Sequence, residues 1–163
     1  MIEFDALYRR HAGEVHRFAL SLCGDRALAD DVTAETFVRV WTARDRVDLA
    51  TVTGYLLTIA RHLILQERSR GRRRDPLDSD VADHAPGPHD RAEGRAELDA
   101  VLADLQALSE PERAAVLMRA QEQMSYEEIA AALGITAGTA KVKVHRARLK
   151  LAELRLKRRS VPS

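Results

Sequence analysis

The sequence predicts an all-α protein made of two small helical domains joined by a flexible acidic linker. Apolar residues recur at three- and four-residue spacing along most of the chain, and no useful run alternates as strands do. Glycine and proline are scarce except between residues 75 and 94, where three prolines and two glycines lie among five aspartates. We therefore place the domains at 1–74 and 97–159, the linker at 75–96 and a short tail at 160–163.

Three helices are predicted in the N-terminal domain. The first runs from Phe4 to Leu22, because Gly24 is placed to end it. The second runs from about Ala27 to Ala43, and the third starts near Thr53. A polar stretch, Arg44–Thr51, separates the second helix from the third.

The third helix is predicted to bury one stripe and to present a basic outer face. The buried stripe consists of Leu56, Ile59, Ala60 and Leu63. The residues that face away are Thr58, Arg61, Leu65 and Arg68, with His62 at the edge. We expect Trp41 and Tyr55 to pack in the core.

The C-terminal domain carries the clearest local signals. Capping boxes are predicted at Ser109–Glu112 and at Ser125–Glu128, and the second box opens a helix over Tyr126–Leu133. Gly134 is suited to a tight turn, and Thr136 caps a last helix that runs past Arg148. Two helices joined by a short turn that contains glycine, the second helix being basic, form a helix-turn-helix pattern.

The last helix is expected to read duplex DNA with its outer side. Ala140, Val144, Ala147 and Leu151 form its buried stripe, so the opposite side presents Val142, His145, Arg146 and Leu149. We assign base contacts to Val142, with a thymine methyl, and to Arg146, with guanine. Phosphates are assigned to Lys141, Lys143 and Arg148, and to backbone N–H groups at Gly138 and Thr139.

Charge and composition narrow the class of protein. The 163 residues carry a net charge of only +1, but residues 61–74 hold six Arg against one Glu, and residues 141–159 hold nine Lys or Arg against one Glu. Such clusters favour nucleic acid as a partner. No apolar run approaches the roughly 20 residues of a membrane helix. The N-terminus has no signal-peptide pattern, and the single cysteine, Cys23, excludes an intramolecular disulfide, so we expect a cytoplasmic protein without membrane insertion.

The motifs of both domains resemble those of one bacterial family, the extracytoplasmic-function (ECF) sigma factors. In the C-terminal domain they resemble sigma region 4: LSEPER at 108–113, SYEEIA at 125–130, LGI at 133–135, GTAK at 138–141 and HRAR at 145–148. In the N-terminal domain they resemble sigma region 2: ADDVTAETFVRVW at 29–41, and GYLLTIARHL at 54–63 followed by the Arg-rich run.

The resemblance implies a transcription initiation factor with no catalysis of its own and no cofactor or metal. Such a protein, a monomer when free, binds core RNA polymerase at the β′ coiled coil and the β flap, directs it to promoter DNA and assists melting. Its linker threads toward the polymerase active-site channel. An anti-sigma factor is the usual partner that controls it.

Three sets of site residues follow from the resemblance. The polymerase-binding set is Asp30, Asp31 and Glu35. The minus-ten set is Arg61, His62, Leu65, Arg68, Arg72 and Arg73, with the 44–51 loop as a pocket for a flipped base. The minus-thirty-five set is Thr136, Gly138, Thr139, Lys141, Val142, Lys143, His145, Arg146 and Arg148.

The sequence departs from the family pattern at three positions. His62 stands where the family usually has Asn, Gln66 where it usually has Asp, and Val142 where it usually has a small polar residue. These residues lie on or near the expected DNA-facing surfaces, so no promoter consensus is carried over.

Three alternatives remain open. An autonomous helix-turn-helix regulator would form a dimer on a palindromic site and would leave the N-terminal domain without a task. A small metal-dependent enzyme lacks any recognisable motif in the scattered histidines. A pure interaction protein would show no salt-dependent affinity for DNA.

Overall fold

The structure is a computed structural model that describes residues 3–43, 52–73 and 92–160. Within these ranges it contains seven α-helices and no strand, which confirms the all-α class. The predicted linker up to residue 91, the 44–51 loop and residues 161–163 lie outside the described residues, as do the side chains of Arg72 and Arg73. The helices are α1 (Phe4–Cys23), α2 (Arg26–Thr42), α3 (Val52–Arg73), α4 (Ala92–Gln106), α5 (Glu110–Glu122), α6 (Tyr126–Leu133) and α7 (Ala137–Ser160).

The junction between α1 and α2 is determined by two local signals. Gly24 has a φ of 72°, in the left-handed region that glycine adopts without strain, and its N–H donates to the carbonyl of Leu20. The Asp25 carboxylate then accepts the N–H of Leu28 at 3.1 Å and caps α2. Both helices begin and end within one residue of the predicted positions.

The buried face of α3 is wider than the predicted stripe. Leu56 and Ala60 are buried as expected, but Leu57 and Ile64 are buried as well. Ile59 and Leu63, which were assigned to the stripe, are only partly buried. The reason is that α3 packs against α1 and α2 on one side and against α6 on another.

The expectation that Trp41 packs in the core is wrong, because the residue is 48% exposed. Its neighbour Val40 occupies the inward position, and successive helical residues point about 100° apart. The Trp41 ring meets the Phe4 ring edge-on, with centroids 5.0 Å apart, at the rim of the core. Tyr55 is only partly buried and lines an apolar groove where α3 meets α6.

Helix α4 begins at Ala92, inside the predicted linker, so residues 92–96 are helical rather than extended chain. The segment is rich in Ala, Glu and Leu, which favour helix. Leu102 and Leu105 are buried, and α4 packs against α1, α5 and α7. These contacts outweigh the acidic composition that marked the segment as linker.

The C-terminal helices start where the capping signals predict. At α6 both halves of the box are present: the Glu128 N–H donates to Ser125 Oγ at 3.1 Å, and the Ser125 N–H donates to Glu128 Oε1 at 2.8 Å. At α5 only half of the predicted box forms, with the Glu112 N–H donating to Ser109 Oγ at 3.3 Å. The last helix, α7, continues to Ser160, where the tail was predicted to begin.

The two predicted domains pack directly on each other. One buried apolar cluster runs through both, with α1 against α4 and α5, and α3 against α6. We call this contact the interdomain seam. Arg113 fastens it by donating to the carbonyls of Leu22 at 2.8 Å, Leu105 at 2.8 Å and Leu108 at 2.9 Å. Arg113 thereby links carbonyls at the C-terminal end of α1 and in the segment where α4 ends, where helical carbonyls run out of intrahelical donors.

Candidate nucleic-acid interface

The turn between α6 and α7 fixes how the last helix is presented. Gly134 has a φ of 70° and closes α6 through an N–H bond to the carbonyl of Ala130. The hydroxyl of Thr136 then accepts the N–H of Thr139 at 3.1 Å, which caps α7. Ile129, Ala140 and Val144 are fully buried and hold the two helices together. The predicted helix-turn-helix is therefore formed as the sequence indicated.

The outer side of α7 is open over the length of the predicted minus-thirty-five set. Val142 is 47% and Leu149 55% exposed, while the opposite stripe of Ala140, Val144 and Ala147 has no exposure. Within the described part of the chain, none of the α7 cations of this set makes an ion pair. Lys143 is partly buried, and the members of the set that are exposed are Thr136, Gly138, Thr139, Lys141, Val142, His145, Arg146 and Arg148.

On α3 the structure contradicts the expected outward orientation of Arg61. The Arg61 Nε donates to Glu110 Oε2 at 2.8 Å, and its Nη2 donates to Glu110 Oε1 at 2.6 Å. The two side chains are only 14% and 22% exposed. The cause is the seam, since the Glu110 side chain at the start of α5 reaches the side of α3 that a single-helix pattern assigns to solvent.

The other described side chains of the predicted minus-ten set are exposed, and one of them is hydrogen-bonded within the protein. His62 and Leu65 are exposed, as is Gln66. Arg68 is exposed as predicted, and it donates from Nη2 to the carbonyl of Cys23, at the C-terminal end of α1. The described side chains of α3 therefore leave an exposed patch around His62 and Leu65, while both arginines have partners within the protein.

Helix α2 presents an acidic face to solvent, as the sequence predicts. Asp30, Asp31 and Glu35 are all exposed. His16 Nε2 lies 2.8 Å from Asp30 Oδ1, and Arg39 Nε lies 3.4 Å from Glu35 Oε1. Exposed ion pairs of this kind are weak, so a basic partner helix can exchange with them at little cost.

Two residues at these surfaces had no functional assignment from the sequence. Val38 is 55% exposed and continues the face of Asp31 and Glu35 toward Trp41. Its position seven residues after Asp31 places it on the same side of the helix, which was the available signal. The other is Glu110, to which the sequence assigned nothing beyond the start of α5. Its partner Arg61 is 49 residues away, so no local pattern could reveal the pair.

Burial changes the chemistry of two groups beside the seam. It raises the pKa of the Cys23 thiol, which makes the thiol less reactive, and it lowers the pKa of the Arg113 guanidinium. The described ranges bring together no group of three or more His, Cys, Asp or Glu that could hold a metal ion. None of the described helices combines the length and apolar composition that crossing a membrane requires.

Comparison with known families divides the chain as its motifs do. A family profile for sigma-70 region 2 matches residues 7–74, and a profile for sigma-70 region 4 matches residues 98–151. These two matches define the class: a sigma-70-type protein that carries regions 2 and 4.

Individual relatives narrow the class further. The chain is 38% identical to the ECF RNA polymerase sigma factor SigL of Mycobacterium tuberculosis, over 91% of this chain and 89% of that one. It is also 38% identical to the ECF RNA polymerase sigma factor SigE of Mycolicibacterium smegmatis over 94% of its length, and spans 62% of that relative. The chain belongs to the ECF sigma factors.

Solved structures share the arrangement of the helices. The sigma factor RpoE of Bartonella quintana, solved in complex with the anti-sigma factor NepR, matches with a TM-score of 0.76 and 30% identity, covering 93% of this chain and 95% of that one. CnrH, solved with the cytosolic domain of CnrY, matches with a TM-score of 0.69 and 27% identity, covering 93% and 86%. Both are similar to this chain along nearly its whole length.

Proposed function

We propose that this protein binds core RNA polymerase, directs it to a specific set of promoters and assists melting there. The observation that carries the proposal is the presence of both sigma regions in one chain, in the order that an initiation factor needs. An autonomous helix-turn-helix regulator would need only the region-4 part. The protein acts in the cytoplasm, without catalysis of its own.

Region 4 reads the minus-thirty-five element through the N-terminal half of α7. This half presents Val142, His145 and Arg146 on its outer side, with exposed cations on the flanks. Arg146 pairs with guanine, Val142 contacts a thymine methyl, and Lys141, Lys143 and Arg148 hold phosphates. The first turn of α7 donates N–H groups to a phosphate, and region 4 also docks on the β flap.

Region 2 supplies the remaining contacts. The acidic face of Asp30, Asp31 and Glu35 binds the β′ coiled coil, with Val38 as an apolar addition to it. The minus-ten strand follows α3, where Arg61, His62, Leu65, Arg68, Arg72 and Arg73 contact its backbone and bases. Aromatic residues are few in this chain, so capture of the strand depends on charge and on the pocket for a flipped base.

An anti-sigma factor controls the protein. The support is that structural neighbours of this chain, RpoE and CnrH, were solved in complexes with NepR and with CnrY, and NepR is an anti-sigma factor. Such a partner would hold region 2 and region 4 away from polymerase until a signal releases them.

The test is transcription in vitro with purified core polymerase on fragmented genomic DNA from the source bacterium, with mapping of the 5′ ends. We expect discrete start sites that appear only when this protein is added. Polymerase that is active with another sigma factor but gives no such starts would contradict the proposal. Failure to bind core polymerase would then favour the autonomous regulator.

A further inference from the structure

The interdomain seam occupies the donors of a cation that the proposed function needs for DNA. Arg61 uses two nitrogens, Nε and Nη2, to bind both oxygens of Glu110, at 2.8 and 2.6 Å. Guanidinium groups use the same fork to bind phosphate. Arg61 therefore cannot bind Glu110 and a DNA strand through these donors at the same time.

Beside its buried apolar cluster, the seam contains further polar contacts between the two domains. Arg17 of α1 pairs with Glu122 of α5 at 2.8 Å, and Gln121 donates to Ser21 Oγ at 3.0 Å. Gln121 Oε1 is buried and has no hydrogen-bond partner among the described residues. Water would satisfy this acceptor once the seam opened, whereas the closed form leaves it unpaired. These polar contacts, unlike the apolar cluster beside them, can be exchanged for contacts with water when the domains separate.

We infer that Glu110 is an autoinhibitory residue, which holds Arg61 away from single-stranded DNA in the closed form of the protein. This inference rests on the proposed function and adds a regulatory contact to it. The closed form still presents the outer side of α7, so it is competent for duplex DNA but not for the minus-ten strand. Productive engagement with polymerase and the melted promoter requires the Arg61–Glu110 pair to break.

The test uses the full chain with Glu110→Gln, and with Glu112→Gln as the matched control. The control removes the same charge from the same turn of α5, at a residue that is partly buried as Glu110 is. Small-angle X-ray scattering reports whether the two regions separate. Fluorescence anisotropy with a labelled pool of random single-stranded oligonucleotides measures the affinity for single-stranded DNA, which should rise when Arg61 is released from Glu110.

We expect Glu110→Gln to increase the radius of gyration and to tighten single-strand binding by about five- to tenfold. Glu112→Gln should behave as the wild type does in both measurements. Adding Arg61→Gln to Glu110→Gln should abolish the gain in binding, which separates Arg61 from the cations of α7. Equal scattering and equal affinity in wild type and Glu110→Gln would overturn the inference.

A second variant keeps the inference testable if Glu110→Gln does not fold. Glu122→Gln weakens a second ion pair between the domains, Arg17–Glu122, without touching Arg61 or Glu110. If Glu110→Gln fails to fold, Glu122→Gln must raise single-strand binding, and a folded Glu122→Gln protein with unchanged binding would refute the closed form. Transcription in vitro by the wild type is measured separately. If the wild type initiates transcription and Glu110→Gln changes neither scattering nor single-strand binding, the autoinhibition is refuted and the proposed function stands. If Glu110→Gln separates the two regions but no variant initiates transcription, the proposed function is refuted.

Discussion

The two predicted DNA-binding surfaces are built from the same type of residue but are presented in opposite ways. On α7, Arg146 is exposed and has no ion-pair partner among the described residues. On α3, Arg61 is 14% exposed and is bound at both ends of its fork by Glu110. The predicted surface on α7 is open to solvent in this arrangement, and the predicted surface on α3 is partly occupied by the protein itself.

The difference arises from what lies opposite each helix. The outer side of α7 faces away from every other helix, because Ala140, Val144 and Ala147 turn its inner side to the domain core. Helix α3 is covered on two sides, by α1 and α2 and by the region-4 helix α6. A basic run in a sequence therefore indicates a potential surface, and the packing of the second domain decides whether that surface is free.

The largest expected effect tests this comparison through stability. Arg61→Ala leaves Glu110 partly buried and unpaired, so it should lower the free energy of unfolding by about 2 kcal/mol. Arg146→Ala removes an equal charge from an exposed position and should change the free energy by less than about 0.5 kcal/mol. Urea denaturation followed by circular dichroism measures both. A change of less than about 0.5 kcal/mol for Arg61→Ala as well would mean that the Arg61–Glu110 pair contributes little to the folded state.

The second prediction concerns the exposed surface. Arg146→Ala should weaken binding to a duplex that carries the mapped minus-thirty-five element by about tenfold, because a bidentate contact to guanine is lost. Binding to core polymerase should be unchanged. Anisotropy with the labelled duplex and pull-down with core polymerase separate the two readouts. A parallel loss of both would show that Arg146 supports the fold rather than the reading of DNA.

Whether the sequence predicts a structural feature depends on how far apart along the chain the residues that determine it lie. The bounds of α6, the turn at Gly134 and the cap at Thr136 were all predicted correctly, because each depends on residues within four positions. The orientation of Arg61 was wrong, because Glu110 lies 49 residues further along the chain. A periodic pattern assigns one side of α3 to solvent and contains no information about α5.

The other differences have the same origin. Trp41 was assigned to the core on its apolar character, but Val40 occupies that position and the ring stays 48% exposed. The start of α4 was assigned to the linker on its acidic composition, but contacts with α1 and α7 extend the helix back to Ala92. In both cases the local composition was described correctly, but contacts between residues far apart in the sequence determined the structure.

The third prediction concerns the acidic face of α2, which is exposed like the outer side of α7 but of opposite charge. Asp31→Ala combined with Glu35→Ala should weaken binding to core polymerase by about fivefold, because two exposed charges contribute modestly at the rim of an interface. Binding to the minus-thirty-five duplex should remain as in the wild type, the reverse of Arg146→Ala. Loss of duplex binding in this variant would indicate that region 2 and region 4 are coupled through the seam.

The fourth prediction uses the reactivity of the single cysteine to measure how often the seam opens. Cys23 is 4% exposed at the end of α1, and a side chain on the adjacent Gly24 would meet Gln106 of α4 at 3.2 Å. Burial raises the pKa of the thiol, and only the thiolate reacts with alkylating reagents. Iodoacetamide should therefore modify the folded wild type far more slowly than the urea-unfolded chain.

The same thiol gives a pH dependence whose sign is fixed by that shift. The folded state favours the protonated thiol, so its contribution to stability is fully present below the unfolded pKa of about 8.5 and is lost as the pH rises through the higher folded pKa. Cys23→Ala should remove this loss from the free energies of unfolding that urea denaturation measures at alkaline pH.

The alkylation experiment compares the wild type, Glu110→Gln and Glu112→Gln. If the seam opens, Glu110→Gln should speed alkylation of Cys23 severalfold, whereas Glu112→Gln should not. An alkylation rate that is the same in all three proteins would place Cys23 inside a core that remains shut when the Arg61–Glu110 pair is broken, and the contrast between α3 and α7 would then be permanent rather than regulated.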